Sequence, residues 1–262
     1  MSLEEYYHHF RWWMEPEDER ALQRFNSIVS FFEGLGLEAP RVLDLCAGTG
    51  IAGAAAAKAF SASELTLVEA RREDMEKVRK WLEIAGISPK LRLVAGDVLN
   101  LPSLVDEHDV AVLWGHTMPH FDPFQAVRLF SGVASVLSKD GAFFIEDTDR
   151  IKRFLYSSTY TKFHVEKKAQ DYTIVSLYEG YDLYRGAERR GYYRLPGFEK
   201  VTELTVRLWD LASQLAIGKI FFTEARLITP SEHGLSGVSE VLLFRGPKKE
   251  IASKVYSEFR EL

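Results

Sequence analysis

Only one cysteine, Cys46, stands in 262 residues. That excludes an intrachain disulfide and a cysteine-based zinc cluster, and it fits a reducing compartment, so a cytoplasmic location is expected. Long apolar runs are missing too. No stretch could span a bilayer, and the opening MSLEEYYHHFRWW lacks the apolar core of a secretory signal. Positive charge is not in excess: the net balance of −5 gives no general electrostatic reason to bind nucleic acid. There is no internal repeat and no low-complexity tract. What remains is an ordinary globular composition, 46% hydrophobic and 27% charged. It is long enough for one large domain with a sizeable core.

Apolar periodicity places the elements. In PEDERALQRFNSIVSFFEGLG, Ala21, Leu22, Phe25, Ile28, Val29 and Phe32 share one helical face, with Pro16 in the first turn and Gly34 and Gly36 at the end. A strand–helix alternation follows. RVLDLC, ELTLVEA, KLRLVAGD, HDVAVLWG and GAFFIEDT read as strands, separated by TGIAGAAAAKAF, RREDMEKVRKWLEIAG and DPFQAVRLFSGVASVLS as helices. That alternation predicts a doubly wound parallel sheet. The pattern changes after Arg150. DYTIVSLYEGYDLYRGAERRGYYRL alternates like an antiparallel hairpin with its turn near Arg185 and Gly186. FEKVTELTVRLWDLASQLAIG reads as a long helix, KIFFTEARLIT and VSEVLLFRG as a closing edge hairpin, and KEIASKVYSEFREL as a terminal helix.

The turn after the first strand, RVLDLCAGTGIAG, contains G-x-G-x-x-G at Gly48, Gly50 and Gly53. Taken literally it is a dinucleotide fingerprint, and an NAD-dependent oxidoreductase is one reading. Charge points elsewhere. Asp44 beside the turn would repel a pyrophosphate but suits the sulfonium and ammonium of S-adenosylmethionine. Ligands in open α/β sheets bind outside the carboxyl ends of the strands. Glu69 ends the second strand, where it could accept from ribose hydroxyls, and Asp97 ends the third, where it could accept from an adenine amino group. Three acids ending three successive strands say more than the glycines.

This set resembles the class I S-adenosylmethionine-dependent methyltransferases, whose first motif runs acid-x-Gly-x-Gly-x-Gly. Here it is DLCAGTG, with Cys46 in a glycine slot. The resemblance covers residues 41 to about 150 and implies Asp44, Ala47, Gly48 and Gly50 around the methionine part, Glu69 at the ribose, and Asp97 with Val98 at the adenine. It also implies an α/β, Rossmann-like, doubly wound, seven-stranded and mostly parallel sheet with an antiparallel insertion. Within that group, RVLDLCAGTG and GHTMPHFDP resemble segments of glycine N-methyltransferase and related small-molecule enzymes. His116 stands where those enzymes usually carry Asn, and their carboxylate-binding arginine has no secure equivalent near Arg150.

The fourth strand ends at Trp114 and Gly115, across the switch point from the first, so Trp114 is expected to line the cofactor site. His116 lies where a methyl acceptor should approach. A hydroxyl acceptor needs a base and a histidine suits that role; a passive pocket lining is the alternative. His116 and His120 lack a clear third partner, so no metal site is expected.

Residues 151–200 hold ten Lys/Arg against six Asp/Glu, and eight tyrosines: Tyr156, Tyr160, Tyr172, Tyr178, Tyr181, Tyr184, Tyr192 and Tyr193. These form either an acceptor wall or a half-buried sheet with a solvated face. Tyr6, Tyr7, Trp12 and Trp13 could form an aromatic lid, with Arg11 or Arg20 pairing the methionine carboxylate.

One methyltransferase domain is therefore expected, with a helical lid at 1–36, a cofactor core at 37–150, an insertion at 151–200 and closing elements at 201–262. The cofactor is S-adenosylmethionine, and the partner is a small-molecule acceptor methylated at nitrogen or oxygen. RNA or protein as acceptor is the alternative. Neither membrane nor nucleic acid is expected as a partner, and the oligomeric state is left open.

Overall fold

Short runs of branched apolar residues set the centre of the molecule. The computed structural model describes residues 15–156 and 162–259, so Tyr6, Tyr7, Arg11, Trp12 and Trp13, expected in a lid, and Tyr160 lie outside them. Helix α1 (Glu19–Glu33) is capped by Asp18, whose carboxylate accepts the Arg20 N–H at 2.8 Å. It then alternates with the sheet: β1 (Arg41–Leu45), α2 (Ile51–Ala59), β2 (Glu64–Glu69), α3 (Arg72–Met75), α4 (Val78–Ala85), β3 (Lys90–Ala95), a 3₁₀ segment at Val98–Ser103, β4 (His108–Leu113), α5 (Pro123–Val136) and β5 (Leu137–Asp147). Next come α6 (Arg150–Tyr156), β6 (Phe163–Lys168), β7 (Thr173–Asp182), β8 (Ala187–Leu195) and β9 (Glu199–Val206). The chain closes with α7 (Leu211–Phe221), β10 (Phe222–Ile228), α8 (Pro230–His233), β11 (Glu240–Pro247) and α9 (Lys249–Glu258).

These residues fall into two compact units. The larger reaches from the first described residues to Thr117 and includes Gln125–Thr148 and everything from Leu211 onward. Its seven strands run in the order β10-β11-β5-β4-β1-β2-β3, parallel except for β11, which is antiparallel to both β5 and β10. The Ala-rich α2 is buried along most of its length, because small side chains let α1 and the sheet close on it from either side. Phe25 of α1 stacks on Trp81 of α4 at 5.2 Å between ring centroids, and Phe32 meets Phe60, Trp114 and Phe144. Each such ring buried in full is worth about 3–5 kcal/mol against alanine.

Register fixes where the site lies. Leu45 of β1 pairs with Val68 of β2 and Leu113 of β4, Glu69 pairs with Ala95, Leu113 pairs with Ile145, and Asp147 pairs with Glu240 at the start of β11. The carboxyl ends of β1 to β5 therefore come out along one edge.

The smaller unit, which includes 118–124 and 149–210, holds an antiparallel sheet in the order β6-β7-β8-β9. The Leu183–Gly186 turn joins β7 to β8 where the sequence placed it. One expectation is corrected here. Glu199–Val206, read as the first half of a long helix, is strand β9, and the helix begins only at Leu211. Thr202, Leu204 and Val206 are buried at every second position, which is a strand period. Val201, Thr202, Thr205 and Val206 are β-branched, and β8 offers them an open edge. Lys219–Phe221, read as strand, extend that helix instead. RREDMEKVRKWLEIAG likewise forms two short helices, α3 and α4, in place of one.

The tyrosines differ in their surroundings. Tyr192 is buried, Tyr193 stacks on Phe198 and donates its hydroxyl to Glu179, and Tyr156, Tyr178, Tyr181 and Tyr184 are exposed. In the same unit Arg185 of the β7–β8 turn pairs with Asp122, and Tyr184 stacks on Phe124 at 4.9 Å. Trp209 donates its indole N–H to the Phe121 carbonyl at 3.0 Å. These contacts tie the segment after β4 to the antiparallel sheet.

Candidate active site

The turn after β1 is built from left-handed backbone. Cys46 has φ +51°, Gly48 +53° and Gly50 +78°. Cys46 thus occupies a conformation that favours glycine. Its thiol is pushed well above its ordinary value by burial first, then by the carboxylates of Glu69, Asp97 and Asp44. It stays protonated and is no nucleophile. Gly50 is excluded from bearing a side chain by packing, since a Cβ there would lie 2.6 Å from Val78 and 2.8 Å from Leu67. At Gly48 the space is open: a Cβ would meet only the Arg71 guanidinium, at 4.0 Å. The turn is held by Ala47 N–H to the Val68 carbonyl at 3.3 Å and by Gly50 N–H to the Ala47 carbonyl at 2.8 Å.

Asp44 sits behind this turn. It is fully buried, and its carboxylate accepts the N–H of Gly53, in the first turn of α2, at 2.8 Å. Burial raises its pKa from 3.8 to about 8, partly offset by that hydrogen bond and reinforced by Glu69. Asp44 therefore shapes the turn from behind, through that hydrogen bond to the start of α2. Gly53 is required by packing: a Cβ there would lie 2.6 Å from the Asp44 carboxylate.

Glu69 faces the turn from β2. Its Oε2 accepts the Gly48 N–H at 2.9 Å, and its Oε1 accepts the Arg71 N–H and Nε at 3.2 and 3.3 Å. Arg71 also pairs with Asp74. Asp97 is exposed just past β3. Its Oδ1 caps the 3₁₀ segment through the Leu99 N–H at 2.9 Å, while Val98 turns inward. The structure thus puts Ala47, Gly48, Gly50, Glu69, Asp97 and Val98 along one sheet edge. Trp114 leaves from the same edge, but its indole packs into the core against Phe31 and Phe32 at 5.8 and 5.1 Å.

His116 also lies at this edge, with the unusual φ of +60° directly after Gly115 at +83°. Its Nδ1 stands 3.7 Å from Oδ1 of Asp147 and its Nε2 3.3 Å from the Ser239 hydroxyl. Asp147 is fully buried at the end of β5 and accepts Nε2 of the equally buried Gln214 at 2.7 Å. Beside it, the buried Glu146 gathers three donors: Arg24 at 2.5 Å, and the N–H groups of Gly115 and Ser239, each at 3.1 Å. Sequence reasoning missed Glu146, Asp147, Gln214 and Ser239. The rule that found Glu69 and Asp97, an acid ending a strand, could have found Asp147 in IEDT; nothing local marks Gln214 or Ser239.

Arg20 is exposed on α1. Among the described residues no group of three His, Cys, Asp or Glu could hold a metal ion, and no helix is long and apolar enough to cross a membrane.

Residues 42–141 match the model of a family described as a methyltransferase domain. No curated protein matches the sequence. Among solved structures, the chain is similar to a protein of Pyrococcus horikoshii OT3, with a TM-score of 0.63 and 17% identity over 93% of this chain and 99% of that one. It is similar to an S-adenosylmethionine-dependent methyltransferase of Clostridium acetobutylicum, with a TM-score of 0.61 and 13% identity over 93% of this chain and 97% of that one. It is also similar to the amino pentose methyltransferase CalS10 of Micromonospora echinaspora, solved with S-adenosylmethionine bound, with a TM-score of 0.54 and 15% identity over 94% and 97% of the two chains. The fold is that of the class I methyltransferases. The dinucleotide reading is corrected by the sheet itself: the 3-2-1-4-5 core continues into the antiparallel β11 and then β10, not into a parallel sixth strand.

Proposed function

We propose that this chain uses S-adenosylmethionine to methylate nitrogen or oxygen of a small-molecule acceptor, with His116 taking the acceptor's proton; the match to a methyltransferase domain and the class I fold support this reading. The observation that carries this reading is the half-exposed His116 imidazole, backed by the buried Asp147 carboxylate at the carboxyl edge of the sheet. A positioned base of this kind is worth roughly 10²–10⁴ in rate. An acceptor bearing hydroxyl or amino groups, such as a sugar, has protons for it to remove, and CalS10 is an amino pentose methyltransferase.

The residues of the turn fit the cofactor. Open space at Gly48 admits a ligand against the backbone, and the left-handed turn presents the start of α2. Glu69 would hold the ribose hydroxyls and Asp97 the adenine amino group, with Val98 beside the base and Ala47 and Gly50 shaping the methionine end. Asp44 acts one layer back, by holding Gly53 and hence the turn. When bound, S-adenosylmethionine supplies an electrophilic methyl carbon on a sulfonium. The chain's own task is to bring an acceptor lone pair in line and to remove its proton.

The test is calorimetry with S-adenosylhomocysteine and NAD, followed by a panel of amino and hydroxy sugars and small amines, scored by S-adenosylhomocysteine release. Binding of S-adenosylhomocysteine, turnover with a panel member, and a His116→Ala variant that loses turnover but keeps cofactor affinity support the reading. Binding of NAD, or methylation of bulk RNA or protein in preference to every small molecule, would sink it.

A further inference from the structure

We propose that Gln214 and Asp147 are positioning residues that hold the His116 proton on Nδ1 and leave Nε2 to receive the acceptor's proton. The inference rests on the reading of His116 as the base.

Each link has a direction that chemistry fixes. A carboxylate only accepts, so the Gln214 side chain must present its amide nitrogen to Asp147, as it does at 2.7 Å from Oδ2. Both side chains are fully buried, so this bond is not exchanged for water. While Oδ2 takes the Gln214 amide, the second carboxylate oxygen, Oδ1, is turned toward His116 Nδ1 at 3.7 Å. That separation is longer than a hydrogen bond and makes the contact an electrostatic one. A carboxylate beside Nδ1 selects the tautomer with hydrogen there and an unprotonated Nε2. Nε2 in turn sits 3.3 Å from the Ser239 hydroxyl. In the resting protein that hydroxyl donates to it. The Ser239 N–H is itself fixed on Glu146, at 3.1 Å, so this partner does not wander.

The left-handed backbone of His116 supports the assignment. A non-glycine residue at φ +60° is held there by its surroundings, and such positions gather at functional sites. In turnover the acceptor's O–H or N–H replaces the Ser239 hydroxyl at Nε2. From a hydroxyl or an ammonium group the proton passes to Nε2, the bonding pair stays on the oxygen or nitrogen as its nucleophilic lone pair, and the resulting imidazolium faces the Asp147 carboxylate.

Long-range proton–nitrogen spectra of the full chain, labelled in histidine nitrogen and saturated with S-adenosylhomocysteine, read the tautomer directly. The His116 signals are those lost in His116→Ala. The wild-type ring should carry hydrogen on Nδ1. Asp147→Asn should move the proton to Nε2, and Gln214→Leu should give a mixture, while S-adenosylhomocysteine affinity by calorimetry stays unchanged in both. A wild-type ring with hydrogen on Nε2 overturns the proposal, and so does a tautomer that neither variant alters. If a variant fails to fold, the wild-type spectrum still decides. Failure of the base reading shows separately, as undiminished turnover in His116→Ala.

Discussion

The Asp44 carboxylate accepts the Gly53 N–H at 2.8 Å, and a Cβ on Gly53 would lie 2.6 Å from the same oxygen. Strand β1 and the first turn of α2 are therefore locked together through a residue that must lack a side chain. Gly53→Ala gains about 1 kcal/mol of helix propensity but forces the buried acid or the helix to move. We expect a net loss of roughly 1–3 kcal/mol, read as a lower urea midpoint with unchanged slope. An unchanged midpoint would mean that the contact yields freely.

Asp44 also makes stability depend on pH with a definite sign. Its pKa is 3.8 in the reference state and about 8 in the fold. Between those values the folded protein binds the extra proton, so its stability falls as pH rises and levels off above about 8. Asp44→Asn keeps an acceptor for Gly53 but cannot titrate. The stability of Asp44→Asn relative to wild type should therefore climb between pH 3.8 and about pH 8 and then flatten. Parallel urea titrations of the two proteins across this range check it, and a constant difference would refute it.

Glu69 and Asp97 should separate by what each already holds. Glu69→Ala frees the Gly48 N–H and leaves Arg71 only its other partners, Asp74 among them, as well as removing an acceptor. Its affinity for S-adenosylhomocysteine should drop by roughly tenfold or more, the worth of a hydrogen bond to a charged group. Asp97→Asn retains an oxygen for the Leu99 N–H, whereas Asp97→Ala loses that cap, at a cost of about 1 kcal/mol in stability. Calorimetry should show weaker binding in both Asp97 variants, with a lower urea midpoint in the alanine variant alone. Equal affinities across all four proteins would remove both acids from the cofactor site.

Cys46 can be tested as a glycine in disguise. An L-residue in the left-handed region costs about 1–2 kcal/mol. A glycine at this position would escape that cost but lose more chain entropy on folding, by roughly 0.5–1 kcal/mol. Cys46→Gly should thus be as stable as wild type or up to about 1 kcal/mol more so, and should still bind S-adenosylhomocysteine. The thiol, kept protonated by burial and its acidic neighbours, should react slowly with an alkylating reagent until the protein unfolds. Fast labelling of the folded chain would contradict this.

The strand–helix alternation from Arg41 to Asp147 was legible because each buried strand is a short run of branched apolar residues. The acids Glu69 and Asp97 were legible because they directly end such runs. Glu199–Val206 was misread because its apolar spacing satisfies both periods, and what decides is the open edge of β8 beside it. Trp114 was placed at the right edge, but its indole direction depends on Phe31 and Phe32 of α1, more than eighty residues earlier in the chain. Asp44 was read from its charge, whereas burial, which only the fold supplies, raises its pKa to about 8.

Local steric and apolar patterns, carried by residues close together in the chain, were enough to specify the sheet's parallel core, the left-handed glycine turn and the acids at the strand ends. Which polar atoms are spent and which are left for a ligand is settled by contacts between distant segments. Glu146 draws its donors from Arg24, Gly115 and Ser239, and Asp147, Gln214 and His116 meet from three separate parts of the chain. Whether a carboxylate stays charged, and which histidine nitrogen keeps the proton, depends on desolvation and on partners that the fold alone brings together.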